Sequence, residues 1–192
     1  MPNQQHAFTI RYNGLTRVLM TEVGVSIPFL GTPDQTQKIV VEKYQGIWDT
    51  GATGSVVTKR VVDKLGLKPI GAQKVYHAGG ESVSSVYLVN IALPSNVMVQ
   101  GVKVTEGDLP PKGGADLLIG MDIIGLGDFS VSHVGGKSTM SFRMPSCRET
   151  DYIGEANLQN MKSHFQKKRA PTSKHQNKKK TKRRKKNKRH NK

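Results

Sequence analysis

The chain has 192 residues, a hydrophobic share of 35% and a formal net charge of +16. That length suits one domain of ordinary size. The charge is not spread evenly: residues 162–192 hold 16 Lys or Arg and no acid, leaving 14 Lys or Arg against 14 acids in residues 1–161. The front is therefore a balanced globular domain, and the end is a polycation that cannot bury a core of its own.

In chain order, Phe8 to Tyr12 alternates apolar and polar side chains, as a half-buried strand does. Asn13-Gly14 is a hairpin-turn signal, and Leu15 to Leu30 resumes a Val- and Ile-rich strand pattern that breaks near Gly24. Gly31-Thr32-Pro33-Asp34 is a turn, after which Lys38 to Trp48 forms a strand pair or one long strand. Ser55-Val56-Val57 is a short strand. Thr58 is placed to N-cap a helix over Lys59 to Leu65, with Val61, Val62 and Leu65 as its apolar side and Gly66 as its stop. Lys74 to His77, the tip Ala78-Gly79-Gly80-Glu81 and Ser82 to Leu93 form a β-hairpin. Val97 to Glu106 is an alternating strand with a bulge or turn at Gly101. Gly107 to Gly114 is a loop, Leu117 to Ile119 a short buried strand, and Met121 to Leu126 a short helix that packing must hold. Phe129 to Val134 and Thr139 to Phe142 make a closing hairpin around Gly135-Gly136. Short strands with Gly and Pro turns, no long helix and no internal repeat predict an all-β barrel or sandwich. Residues 1–144 are the expected domain, 145–161 a linker, and 162–192 a disordered tail.

Two stretches carry chemistry. The first is Gly46-Ile47-Trp48-Asp49-Thr50-Gly51-Ala52-Thr53-Gly54-Ser55. An Asp at the end of an apolar strand must be satisfied there, because a buried unpaired carboxylate is very costly. The Thr50 hydroxyl and the N–H groups of Gly51 and Ala52 are the nearest candidates. The same residues also suit a plain surface turn between strands. The second stretch is Ala115-Asp116-Leu117-Leu118-Ile119-Gly120-Met121-Asp122-Ile123-Ile124, a strand, a glycine and a helix start.

Together these resemble the retropepsin-like aspartic proteases over roughly residues 8–144. Asp49-Thr50-Gly51-Ala52 matches the catalytic turn, and Leu118-Ile119-Gly120 matches the hydrophobic-hydrophobic-glycine segment whose strand threads beside it. The resemblance implies a closed β-barrel of the acid protease type with one or two short helices. It implies that Asp49 is the catalytic acid and base, that Thr50 bonds across a dimer, that Gly51 presents its N–H to the carboxylate, and that Ala52 lines the cleft. The hairpin with Tyr76, His77, Ala78, Gly79 and Gly80 takes the position of the flap that closes over substrate. Its alternative is an ordinary hairpin with no gating role, and His77 is expected to face solvent. Peptide hydrolysis of this type uses two close carboxylates that share a proton, one activating water and the other donating to the carbonyl. Only one Asp-Thr-Gly is present, so the resemblance implies a homodimer that meets on a two-fold axis and hydrolyses peptide or protein substrates. Asp122 is expected in the helix and away from the cleft, and Asp116 is expected to face solvent. Trp48, bulkier than the family's usual aliphatic, is expected to fill core. Met121 stands where many viral members have Arg, so dimer stabilisation through that Arg does not carry over.

The tail offers a second function class. Lys178, Lys179, Lys180, Lys182, Arg183, Arg184, Lys185 and Lys186 lie in a nearly continuous cationic run with no aromatic residue for base stacking. Such a run binds RNA or another polyanion through counterion release. An acidic membrane surface, an acidic protein or a purely solubilising role are its alternatives. A catalytically inactive dimer that binds RNA through this tail is the rival to the protease. Cys147 is the one cysteine, so no internal disulfide can form and a reducing compartment is favoured. Residues Met1 to His6 lack a signal pattern, and no stretch approaches the ~20 apolar residues of a membrane helix. The expected location is cytoplasmic. No His or Cys cluster has metal-ligand spacing, so no metal or cofactor is expected.

Overall fold

A computed structural model describes residues 4–29, 40–77, 80–109 and 114–169. The turn at residues 31–34, the tip residues Ala78 and Gly79, Pro110-Pro111 and the cationic run from Lys178 lie outside them. The chain divides into two compact units, Met1–Arg148 and Glu149–Lys192.

The first unit is mostly β, as its sequence predicts. Its strands are β1 (His6–Arg11), β2 (Met20–Ser26), β3 (Glu42–Trp48), β4 (Val56–Val57), β5 (Gly71–His77), β6 (Gly80–Leu93), β7 (Val97–Glu106), β8 (Leu117–Ile119), β9 (Asp128–Ser132) and β10 (Thr139–Met144). Helices α1 (Lys59–Leu65) and α2 (Met121–Ile124) interrupt them. Seven strands form one sheet in the order β2-β3-β8-β4-β7-β6-β5, and β2 also pairs with β6 through Gly24–Ser26. The other three form a sheet in the order β1-β10-β9. Most pairings are antiparallel, but β3 runs parallel to β8 and β4 runs parallel to β7.

Period-two alternation sets the core. In β7, Val102 and Val104 are buried while Lys103 between them is exposed. Val25, Val57, Val89, Ile91, Leu117 and Ile119 close the centre, and α1 adds Val61 and Val62. That helix has the predicted limits and stops at Gly66, whose φ of +60° is the left-handed conformation that favours glycine. Thr58 precedes it without a side-chain cap bond, because its hydroxyl donates instead to Asp116. The bulge expected at Gly101 is present: its φ is +66°, the β6–β7 register shifts between Val89 and Ile91, and the Gly101 N–H donates to the Asn90 side chain at 2.8 Å.

Four expectations are corrected. Asn13-Gly14 does not turn β1 back onto β2. β1 pairs with β10 instead, from His6↔Met144 to Arg11↔Thr139. The pairing carries Phe8 against Phe142 and Trp48, so aromatic packing overrides the local turn signal. β2 does not break at Gly24 but runs through it, because a Cβ there would fall 2.4 Å from Val41 Cγ1 and 3.2 Å from Ala92 Cβ. The glycine marks a close approach of chains and not an end. Asp116 is buried rather than solvent-facing. It accepts from Arg60 Nε at 2.7 Å, from a second Arg60 nitrogen, and from Thr58 Oγ1 at 3.2 Å. Finally, the second unit contains a helix, α3 (Tyr152–Arg169), which crosses the expected linker and the start of the expected tail. Glu155, Ala156, Leu158, Gln159, Met161 and Lys162 are strong helix formers, and their propensity outweighs the absence of a clear apolar stripe.

Trp48 fills core, as expected. It is 5% exposed, and its ring stacks on Phe129 at 5.7 Å and meets Phe142 at 5.2 Å and Phe8 at 5.7 Å. Its indole N–H donates to Thr21 Oγ1 at 2.9 Å, so the polar end is satisfied as well. Through it the three-stranded sheet and the end of β3 share one cluster. Trp48→Ala should cost about 3–5 kcal/mol in denaturant unfolding, and Trp48→Phe, which keeps a ring but loses the Thr21 bond, should cost clearly less.

Candidate active site

The site begins with β8. This three-residue strand lies between β3 and β4, parallel to the first (Trp48↔Ile119) and antiparallel to the second (Val56↔Leu118). The loop from Asp49 to Ser55 leaves one neighbour of β8 and returns to the other. Its path is then fixed by backbone bonds. The Asp49 N–H donates to Ile119 C=O at 3.0 Å, the Met121 N–H donates to Ala52 C=O at 2.8 Å, and the Ala52 N–H donates to Asp49 C=O at 3.3 Å.

Asp49 is half-buried and lines an open cleft. The Gly51 N–H donates to Asp49 Oδ1 at 2.8 Å, the support that the resemblance implied. A Cβ at Gly51 would lie 3.1 Å from that same oxygen, so a side chain there would crowd the carboxylate. The other two candidate supports are placed differently. Ala52 gives its N–H to a backbone carbonyl, although the residue does line the cleft. Thr50 is exposed, and its hydroxyl has no hydrogen bond among the described residues. Asp49 thus keeps one carboxylate oxygen without a partner within the described part of this chain.

Gly120 has a steric reason to be glycine. A Cβ on it would sit 2.6 Å from Gly54 O and 3.0 Å from Ala52 O, inside the loop itself. Leu118 lines the cleft, whereas Ile119 is fully buried.

The β5–β6 hairpin forms the opposite wall. Its register runs from Gly71↔Val86 to His77↔Gly80, and Gln73, Lys74, Val75, Tyr76, Ser82, Val83 and Ser84 border the cleft. Tyr76 is 75% exposed and Val83 is 73% exposed, with Lys74 Nζ 5.8 Å from the Tyr76 ring centroid. Gly80 has a φ of +120°, which suits the turn at the tip. Ala78 and Gly79 lie outside the described residues.

Several cleft residues escaped the sequence reading: Val56, Lys59, Lys103, Thr105, Glu106 and Asp108. No motif marks them, since they converge from β4, α1, β7 and the loop after β7. Lys59 pairs with Asp63 at 2.6 Å, and Glu106 accepts from Tyr87 Oη at 2.7 Å. That bond and burial both hold the Tyr87 phenol above its ordinary pKa. Among the described residues, no group of three or more His, Cys, Asp or Glu could hold a metal ion. No described helix is long and apolar enough to cross a membrane.

Residues 41–123 match the sequence profile of the Aspartyl protease family. The fold is similar to the crystal structure of a retropepsin-like aspartic protease from Rickettsia conorii, at 12% identity and a TM-score of 0.44, covering 73% of this chain and 95% of that one. It is also similar to the solution structure of the Simian Foamy Virus (mac) protease, at 18% identity and a TM-score of 0.35, covering 55% of this chain and 92% of that one. No curated protein matches in sequence. The residues matched to the Aspartyl protease family contain the Asp49 loop, the β5–β6 hairpin and the Ile119-Gly120 segment that receives the loop.

Proposed function

We propose that the chain is an aspartic endopeptidase that works as a homodimer, with Asp49 of each subunit supplying half of the catalytic pair. The supporting observation is the state of that carboxylate: one oxygen is held by Gly51, the other has no hydrogen bond among the described residues, Asp49 lines the cleft, and no second Asp-Thr-Gly occurs in the 192 residues. One carboxylate alone cannot act on both the water and the carbonyl. Two of them ~3 Å apart cannot both ionise, so they hold one proton between them. The ionised one takes a proton from water, the water oxygen attacks the peptide carbonyl carbon, and the protonated one donates to the carbonyl oxygen. The exposed Thr50, unbonded among the described residues, is the group in this reading that bonds across the two-fold axis. The β5–β6 hairpin closes over a peptide lying between it and the Asp49 loop.

The test is Asp49→Asn, which keeps size and shape but removes the acid. Cleavage of a broad peptide library should fall to background while the dimer mass by light scattering stays that of the wild type. Cleavage that survives the substitution would end this reading.

In a second proposal, which the charge distribution favours, residues 170–192 grip a polyanion such as RNA. They hold 12 of the chain's 30 Lys and Arg. A chain ending at Arg169 should lose salt-sensitive RNA binding and keep peptide cleavage. The full chain should show log affinity falling linearly with log salt, and an affinity indifferent to salt would refute the electrostatic account.

A further inference from the structure

We propose that Asp122 is a positioning residue for the Asp49 loop, acting through Ser55; the role proposed rests on the protease reading given above. The sequence places Asp122 in α2 and away from the cleft, and its carboxylate does not line the cleft. It reaches back to the loop instead. Asp122 Oδ2 accepts the Ser55 backbone N–H at 3.0 Å, and Oδ1 accepts the Ser55 hydroxyl at 2.8 Å. Oδ1 also accepts the Ile123 N–H at 3.0 Å. Ser55 Oγ in turn accepts the Gly120 N–H at 3.1 Å. The carboxylate is acceptor-only, so it fixes the direction of the chain: Gly120 N–H to Ser55 oxygen, Ser55 O–H to Asp122.

Ser55 is 1% exposed, and its N–H, hydroxyl and carbonyl are all used. Its C=O accepts the Thr105 N–H at 3.2 Å, which ties the same residue to β7 beside the cleft. Four successive residues thus grip the loop. Ile119 holds Asp49, Gly120 holds Ser55, Met121 holds Ala52, and Asp122 holds Ser55 again. Two of these grips run backbone to backbone, which any sequence could supply, and the Gly120 grip needs the Ser55 hydroxyl. The fourth needs a particular side chain, and it is the charged one. Hydrogen bonds to an ionised acceptor are about twice as strong as neutral ones. Asp122 has no salt-bridge partner among the described residues; its carboxylate takes two bonds from Ser55 and one from the adjoining Ile123 N–H.

The reacting group sits six residues before Ser55 on a loop that contains Gly51 and Gly54. Two glycines give that loop wide torsional freedom. Fixing its far end restricts where the Asp49 carboxylate can lie, and an error of ~1 Å in such a group can cost on the order of 10²-fold in rate. The parts of the cleft that come from β5, β6 and β7 make no bond to Asp122. Loss of the clamp should therefore lower kcat and leave KM nearly unchanged.

The experiment uses the full chain with Asp122→Asn, Ser55→Ala and the double variant. Asn keeps the shape of Asp122 but offers one acceptor oxygen and sets an NH2 against a Ser55 donor. Expected are a kcat loss of roughly 10- to 100-fold in each single variant, a KM within about twofold of wild type, and a double variant no worse than the poorer single one. Amide exchange of Gly51 to Ser55 should accelerate in both single variants while that of β6 and β7 stays unchanged. An unchanged kcat in Asp122→Asn, or single losses that multiply in the double variant, would overturn the proposal. If the wild type cleaves nothing, the protease reading fails by itself. Exchange at Gly51 to Ser55 then decides the clamp: unchanged protection in Asp122→Asn refutes it, and lost protection supports it.

Discussion

Everything at the site depends on one three-residue strand inserted between two others. β8 separates β3 from β4, so the chain cannot turn directly from one to the other and must loop around the end of β8. That detour is the Asp49–Ser55 segment. It ends where β8 itself ends, at Gly120, and only a residue without a side chain leaves room for it. A carboxylate placed on a free loop would be mobile and fully hydrated. Here it follows directly from a core strand and is held at one oxygen by Gly51.

The rest of the domain holds those three strands in place. The aromatic cluster of Phe8, Trp48, Phe129 and Phe142 anchors the residue immediately before Asp49. On the other side, the Arg60–Asp116 pair joins α1 to the residue that precedes β8. Asp116 gains three hydrogen bonds there, which is what a buried carboxylate requires. The two ends of β8 are thus fixed by unlike means, a buried charge at its start and a glycine contact at its finish.

Much of this was legible in the residues, and the parts that were not have a common physical cause. The limits of α1 and β8, the β-rich class and the Asp49 turn follow from local signals: alternation, a left-handed glycine, an apolar run with an acid at its end. The Asn13-Gly14 signal was equally clear and misled, because β1 finds its partner more than 120 residues away, where Phe142 offers a better surface than β2. Asp116 and Asp122 look alike in sequence, two acids flanking one apolar strand. One is buried against Arg60 and the other bonds Ser55, and neither partner lies within 50 residues of it. Long-range pairing of a polar group leaves no periodic trace. α3 was missed for the opposite reason: its signal is propensity alone, with little apolar pattern to show it.

The pairing of β3 with β8 spans about seventy residues of chain, and it is parallel. Contacts of that kind form late, since a large stretch of polymer must be closed before they return any stabilisation. During synthesis, residues 42–57 emerge long before 117–122, and in that interval the segment around Asp49 has β2 beside β3 but lacks the β8 strand that holds its loop. On this account the Asp49 loop takes its final path only when almost the whole domain has left the ribosome, as one of the last events of folding.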